Sequence, residues 1–183
     1  NFVVLHDAIP YLFPEISSIK WTLDGVFPSS YNNSDYFFCD SQQTLEDYKK
    51  LQLITDEKRV SVAYLAADKM FCPQKDSIKK KEVFIKYHIP SSKRYIFSLC
   101  SVEPRKNLIR AVRSFILFVE KHRIENLVWV MGGGQWNSFV KEMKRKSIKW
   151  NPEYIIRAGY IDDEDLPVLY SNAEWFVYTS QYE

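Results

Sequence analysis

Cysteine is scarce and badly placed for a covalent framework. Cys39, Cys72 and Cys100 stand far apart, no Cys-x-x-Cys pair occurs, and an odd number cannot close a full set of bridges. The pattern reads as a chain of a reducing, cytosolic compartment. No apolar run reaches the length of a membrane span, and no secretion signal opens the chain. An excess of one charge is also lacking. The formal net charge is +2, far from the positive balance of a dedicated nucleic-acid binder. No His/Cys/Asp cluster has metal-ligand spacing, so no metal site and no cofactor is expected. No Gly-x-Ser-x-Gly elbow and no paired Cys–His arrangement points to a covalent hydrolase. Glycine is rare too, five in 183 residues, and three of the five are Gly132, Gly133 and Gly134.

What the chain does have is apolar mass, 46% of its residues, enough for a packed core. Short apolar runs alternate with amphipathic stretches. Strands are expected at Phe2–Leu5, Tyr36–Cys39 and Arg59–Leu65, and a helix capped by Asp40 or Ser41 runs to about Leu53 with Leu45, Tyr48 and Leu51 inward. Pro10, Pro14 and Pro28 mark a loop after the first strand. Residues 66–93 change character, with Pro73, Pro90 and the run Lys79-Lys80-Lys81, and read as an interdomain linker with a short helix at Ile78–Tyr87. Beyond it, strands are expected at Tyr95–Leu99, Leu127–Met131, Tyr154–Ile156 and Trp175–Tyr178. Helices are expected at Arg105–His122, Gln135–Ser147 and Asp163–Ala173. Strand and helix alternating at this spacing imply parallel sheets covered on both faces. The division expected is residues 1–65, a Rossmann-like domain, 66–93, the linker, and 94–183, a second Rossmann-like domain.

Four places could carry chemistry. Glu103-Pro104-Arg105-Lys106-Asn107 lies where a parallel strand meets a helix, and such a junction attracts anions through its free N–H groups and dipole. Arg105 and Lys106 would add to that field, as a diphosphate site would require; the bland alternative is a solvated turn in which Arg105 pairs with Glu103. The Gly132-Gly133-Gly134 turn could cradle a ligand or could simply be a tight turn, since it matches neither the dinucleotide glycine pattern nor a P-loop. His6-Asp7 ends the first strand, where an imidazole could bond a sugar hydroxyl or serve structure alone. Glu183 follows the last strand and by local sequence says little. His88 and His122 receive no role.

Taken in order, these pieces resemble the group-1 family of retaining glycosyltransferases with the GT-B fold. His6-Asp7-Ala8-Ile9-Pro10 with Phe13-Pro14-Glu15 is similar to the family's His-Asp-x-x-Pro…Pro-Glu segment. Asp40-Ser41 resembles its Ser-bearing strand exit, and Ala66-Ala67-Asp68…Phe71-x-Pro73 its Asn-Gly-Val-Asp…Phe-x-Pro stretch. Glu103 to Asn107 matches its donor-domain signature. Gly159-Tyr160-Ile161 with Leu166…Leu169-Tyr170…Ala173 is similar to its Gly-x-Val…Leu…Leu-Tyr…Ala segment, and Ser180-Gln181-Tyr182-Glu183 to the start of Pro-Ser-x-x-Glu-Gly-Phe-Gly.

The resemblance implies an α/β fold of GT-B type, with two Rossmann-like domains facing a cleft and both incomplete in this chain. It implies transfer of a hexose-type sugar, with retention and without a metal, from a UDP- or GDP-linked donor to a glycan or lipid-linked acceptor. Arg105 and Lys106 would hold the diphosphate, Glu183 would contact the donor sugar, and His6 would lie across the cleft beside it. The Gly159–Ile161 loop would give backbone contacts to the base, with Gly133 and Gly134 also at the donor. The basic residues Lys141, Lys144, Arg145 and Lys146 could approach anionic lipid as a peripheral contact. Departures stand at Ala66-Ala67, Cys100, Ser101 and Thr179, where the family commonly has Asn-Gly, Gly, Thr or Arg, and Pro. They keep open a non-catalytic binding or scaffold protein and a nucleotide-sugar epimerase of the same fold. Beginning and ending at core strands, the chain reads as a central fragment. The expectation is that this span alone transfers no sugar; donor turnover above a no-protein control would refute it.

Overall fold

The computed structural model describes residues 1–14, 34–134, 136–148 and 151–183. Glu15 of the Pro-Glu motif, Pro28 of the first loop and Gln135 at the expected helix start lie outside the described residues. Two compact units emerge, Asn1–Ala67 and Asp68–Tyr182.

The first unit is built on a parallel sheet of order β1-β2-β3, comprising β1 (Phe2–Leu5), β2 (Tyr36–Cys39) and β3 (Val60–Val62). Alternation decides its two faces: Val3 and Leu5 turn to the core, whereas Phe2 and Val4 are exposed. A short helix not foreseen from the sequence, α1 (Ile9–Leu12), follows β1 with Pro10 in its first turn, where a missing N–H costs nothing. Helix α2 (Gln42–Lys50) starts at Ser41, whose side chain accepts from the Thr44 N–H, and buries Leu45 and Tyr48 on the sheet. The expected third strand is shorter than Arg59–Leu65. Its partner β2 ends at Cys39, opposite Val62, so the backbone beyond Ala63 has no ladder to join, and Tyr64 and Leu65 stand exposed.

The second unit is a parallel sheet of order β6-β5-β4-β7, made of β4 (Arg94–Leu99), β5 (Leu127–Gly132), β6 (Ile155–Gly159) and β7 (Trp175–Phe176). Side-chain alternation feeds two cores. Tyr95, Phe97, Val128 and Val130 meet α3 (Ser77–Lys86) and α6 (Leu166–Asn172) on one face. Ile96, Leu127, Trp129 and Met131 meet α4 (Leu108–His122) and α5 (Trp136–Arg145) on the other. Both faces are covered, as a parallel sheet requires. The α4 stripe expected from periodicity is the one buried: Leu108, Val112, Phe115 and Val119.

Residues 68–93 belong to the second unit, although their composition reads as a linker. Val83, Phe84, Tyr87 and Ile89 are core residues there. The reason is a buried carboxylate. Asp165, 1% exposed, accepts hydrogen bonds from Lys86 Nζ at 2.6 Å and Tyr87 Oη at 2.9 Å, and Lys79 Nζ lies 3.2 Å away. Lys86 Nζ also reaches Asp162 at 2.6 Å, and the Asp162 N–H donates to Tyr87 Oη. Lys79, in the run read as solvated, is therefore half of a clamp between α3 and the turn before α6.

Burial alone would push the Asp165 carboxyl up, but hydrogen bonds from Lys86, Tyr87 and Lys79 outweigh it and hold the group below its ordinary 3.8. A depressed folded value means stabilisation that is complete above the unfolded value and lost as pH falls through the folded one. Asp165→Asn is expected to lower unfolding stability by about 1–3 kcal/mol at neutral pH. It should also flatten the acid limb of stability below about pH 4, measured by urea titration across pH. An unchanged acid limb would rule the clamp out as its source.

Candidate active site

Strand order reverses at β4. From it the chain steps outward through β5 to β6, then returns to lay β7 on the other side of β4. In open α/β sheets the crevice outside the carboxyl ends of the strands, at such a switch point, is where ligands bind. The loops leaving β4 and β7 meet there.

They meet through hydrogen bonds to backbone carbonyls. The Arg105 carbonyl accepts from Gln181 N–H at 2.8 Å and from Ser180 Oγ at 3.3 Å. The Lys106 carbonyl accepts from Thr179 Oγ1 at 2.9 Å, and upstream Ser98 Oγ donates to the Val177 carbonyl. The local conformation differs from the expected single helix beginning at Arg105. Pro104–Lys106 forms one 3-10 turn, Asn107 takes a left-handed conformation (φ +57°), and α4 begins only at Leu108. Asparagine is among the few residues that tolerate this backbone region. The break turns the two basic side chains toward the β7 exit rather than into the first turn of α4.

Arg105 is mostly covered, 12% exposed, and its Nη1 donates to the Tyr182 carbonyl at 3.0 Å. Its Nε donates to Glu103 Oε2 at 3.2 Å, the pairing that the bland reading of the motif foresaw. That pairing does not make the turn solvated, because the guanidinium is held between both loops. Lys106 is buried. Its ammonium donates to the Tyr178 hydroxyl and lies 4.9 Å from the centre of the same ring. Two cations thus sit side by side at the switch point, one gripped by backbone and carboxylate, the other by a tyrosine.

The glycine turn packs against this loop. Gly133 has φ +123°, and a Cβ there would come within 1.9 Å of the Cys100 carbonyl oxygen. At Gly132 a Cβ would meet Ile161 Cδ1 at 2.4 Å. Glycine is required at 133 by the Cys100 backbone, whereas at 132 the obstacle is the movable end of the Ile161 side chain; Gly159 needs glycine for its backbone, φ +73°. Around Gly134 and Gly159 a Cβ would meet nothing within 4 Å, so their backbones border open space. Tyr160 is 78% exposed, whereas the Ile161 side chain is buried in the core and leaves only its backbone at the rim. The carboxyl edge of the sheet therefore gathers Arg105, Lys106, Gly133, Gly134, Gly159, Tyr160 and Ile161. Glu183 is exposed, one residue past Tyr182.

In the first unit, His6 follows β1 and its Nδ1 lies 2.6 Å from Asp40 Oδ2 at the end of β2. Sequence reading missed two partners, Tyr178 for Lys106 and Asp40 for His6. The signal for both was present in their positions at strand exits, beside residues singled out for charge or an imidazole. An open groove between α4 and α5, lined in part by Arg110, Arg113 and Glu142, does not include Arg105 or Lys106 in its lining.

Gly133→Ala is expected to destabilise the protein by about 3 kcal/mol or more, through strained backbone and collision with Cys100, whereas Gly134→Ala should leave the melting temperature within the range of a surface change. Equal melting temperatures for the two variants would contradict the packing described.

Comparison with known proteins places this arrangement. The chain is 27% identical over 146 residues to O-antigen chain mannosyltransferase B of Escherichia coli, an alignment covering 76% of this chain and 37% of that protein. The structure superposes on Anabaena Alr3699/HepE, crystallised with UDP and glucose, with a TM-score of 0.68 at 16% identity, covering 98% of this chain and 46% of HepE. It superposes on WaaG, a glycosyltransferase involved in lipopolysaccharide biosynthesis, with a TM-score of 0.67 at 11% identity, covering 98% of this chain and 50% of WaaG. The chain thus spans half or less of each relative's length, and its α/β fold with parallel sheets is of the GT-B type. Residues 79–183, more than half of the chain, match the family model for glycosyl transferases, group 1, and the chain belongs to that family.

Proposed function

We propose that the protein transfers a hexose-type sugar from a nucleotide-sugar donor, UDP- or GDP-linked, to a glycan or lipid-linked acceptor, with retention of anomeric configuration. The observation that carries this reading is the pair Arg105 and Lys106, held side by side at the switch point of the second unit's sheet. Sugar transfer breaks the bond between the anomeric carbon and a diphosphate oxygen, so negative charge grows on the departing nucleotide. Fixed cations aimed where that charge develops stabilise the transition state without reorganising. Arg105 offers a planar donor fork suited to phosphate oxygens and Lys106 a compact charge beside it.

Around this centre the roles follow the family resemblance. Gly133, Gly134 and the Gly159–Ile161 loop line the carboxyl edge where base and ribose would lie, with open space at Gly134 and Gly159. Glu183 binds the donor sugar, and His6 serves the transferred sugar. A nucleotide-sugar donor agrees with the UDP and UDP-glucose bound to HepE, and a polysaccharide or lipid-linked acceptor with the O-antigen and lipopolysaccharide roles named for the relatives. No helix among the described residues is long and apolar enough to cross a membrane. Work on the cytoplasmic side of the membrane, with α5's basic face toward anionic lipid, completes the reading.

The test is Lys106→Ala in the intact protein. Loss of one charge-assisted contact, about 1.5–3 kcal/mol, should lower kcat/KM or donor affinity at least about tenfold. Because Lys106 is buried, a melting curve accompanies the kinetics, and Tyr178→Phe serves as a variant that keeps the cation and removes its hydroxyl partner. A folded Lys106→Ala enzyme with unaltered kinetics would reject the role. Titration with UDP-, GDP- and ADP-sugars identifies the base.

A further inference from the structure

β1 and β2 run in parallel register from Phe2↔Tyr36 to Leu5↔Cys39, so the next residues, His6 and Asp40, leave the same edge of the first unit's sheet as neighbours. Their side chains meet at 2.6 Å, His6 Nδ1 to Asp40 Oδ2. The pair is unequal in exposure, 73% for the imidazole and 15% for the carboxylate. The covered member is well fastened. Asp40 N–H donates to the Leu5 carbonyl at 3.3 Å, and the next residue, Ser41, caps α2. The same helix fastens the other member, because Thr44 Oγ1 donates to the His6 carbonyl at 3.2 Å and Tyr48 Oη to the Asp7 carbonyl at 3.0 Å. An exposed ring is therefore held by a carboxylate that the fold itself holds.

We propose that Asp40 is a positioning residue that sets the tautomer of His6, with the proton on Nδ1 and the lone pair of Nε2 turned outward as a hydrogen-bond acceptor. A carboxylate accepts hydrogen bonds and does not donate them, so the nitrogen facing Asp40 must be the one that carries hydrogen. In a neutral ring the second nitrogen is then bare. The same division of labour orients the imidazole in acid–histidine catalytic pairs generally. The ligand class follows: His6 takes a group that can donate to Nε2, such as a sugar hydroxyl, and discriminates against one that can only accept. This rests on the reading that His6 serves the transferred sugar.

The experiment uses the intact protein. Long-range ¹H–¹⁵N spectra, with His6 assigned through His6→Gln, should show Nδ1 protonated and Nε2 bare in the wild type at neutral pH. Asp40→Asn can donate to Nδ1 instead, and should shift His6 toward the Nε2–H form. In the same variant kcat should fall about 10- to 100-fold, the usual effect of losing an orienting partner, with donor KM changed less than about threefold and partial rescue in Asp40→Glu. An Nε2–H ring, or protons on both nitrogens, in the wild type overturns the proposal without any variant. If His6→Gln is slow while Asp40→Asn keeps full turnover, the Asp40 role alone is rejected. If His6→Gln keeps full turnover, the place of His6 in the proposed function falls, and any catalytic consequence of Asp40 with it.

Discussion

The second unit depends on the contact between two loops that are far apart in sequence. β7 returns to the free side of β4, and the segment after it is fastened to Arg105 and Lys106 through their own carbonyls. This fixes the backbone of a 3-10 turn that would otherwise be exposed and loose. Only with that backbone fixed can the side chains be aimed. The cations are thus positioned by a parallel pairing of only two residues on each strand, Ile96↔Trp175 and Phe97↔Phe176, and by the hydroxyls and N–H groups of the segment that follows.

A buried ammonium is costly unless something replaces its water. Here a tyrosine does so at Lys106, with its hydroxyl as acceptor and its ring as a cation–π partner. At the Asp165 clamp the buried charge is the carboxylate. There, lysines surround a buried carboxylate and the charges neutralise one another, as suits a structural joint.

Much of the fold was legible in residue pattern. The stripe Leu108, Val112, Phe115, Val119 has helical period, and the strand runs at Tyr95 and Leu127 are apolar on both alternating faces, the mark of a sheet covered twice. The segment 68–93 reads as a linker because composition shows lysines and prolines but not the buried Asp165 that gathers Lys79, Lys86 and Tyr87. At Arg105 the sequence reads as one continuous helix because Pro104 and the periodic stripe suit it, and nothing local reveals that Asn107 breaks it. The glycine run was ambiguous for a similar reason. The one residue of the run that must be glycine, Gly133, is dictated by the Cys100 backbone of a neighbouring loop.

By itself the sequence determined the class of structure, the order of its strands and longer helices, and the ordered set of motifs that marks the family. Those properties follow from local periodicity, turn chemistry and residue type. Which strand lies beside β4, which lysines are solvated, and which tyrosine or aspartate stands against Lys106 or His6 were decided only in three dimensions. Such partners lie 34 residues away for His6 and 72 for Lys106, and a contact at that separation is set by sheet order and register rather than by anything local to either residue.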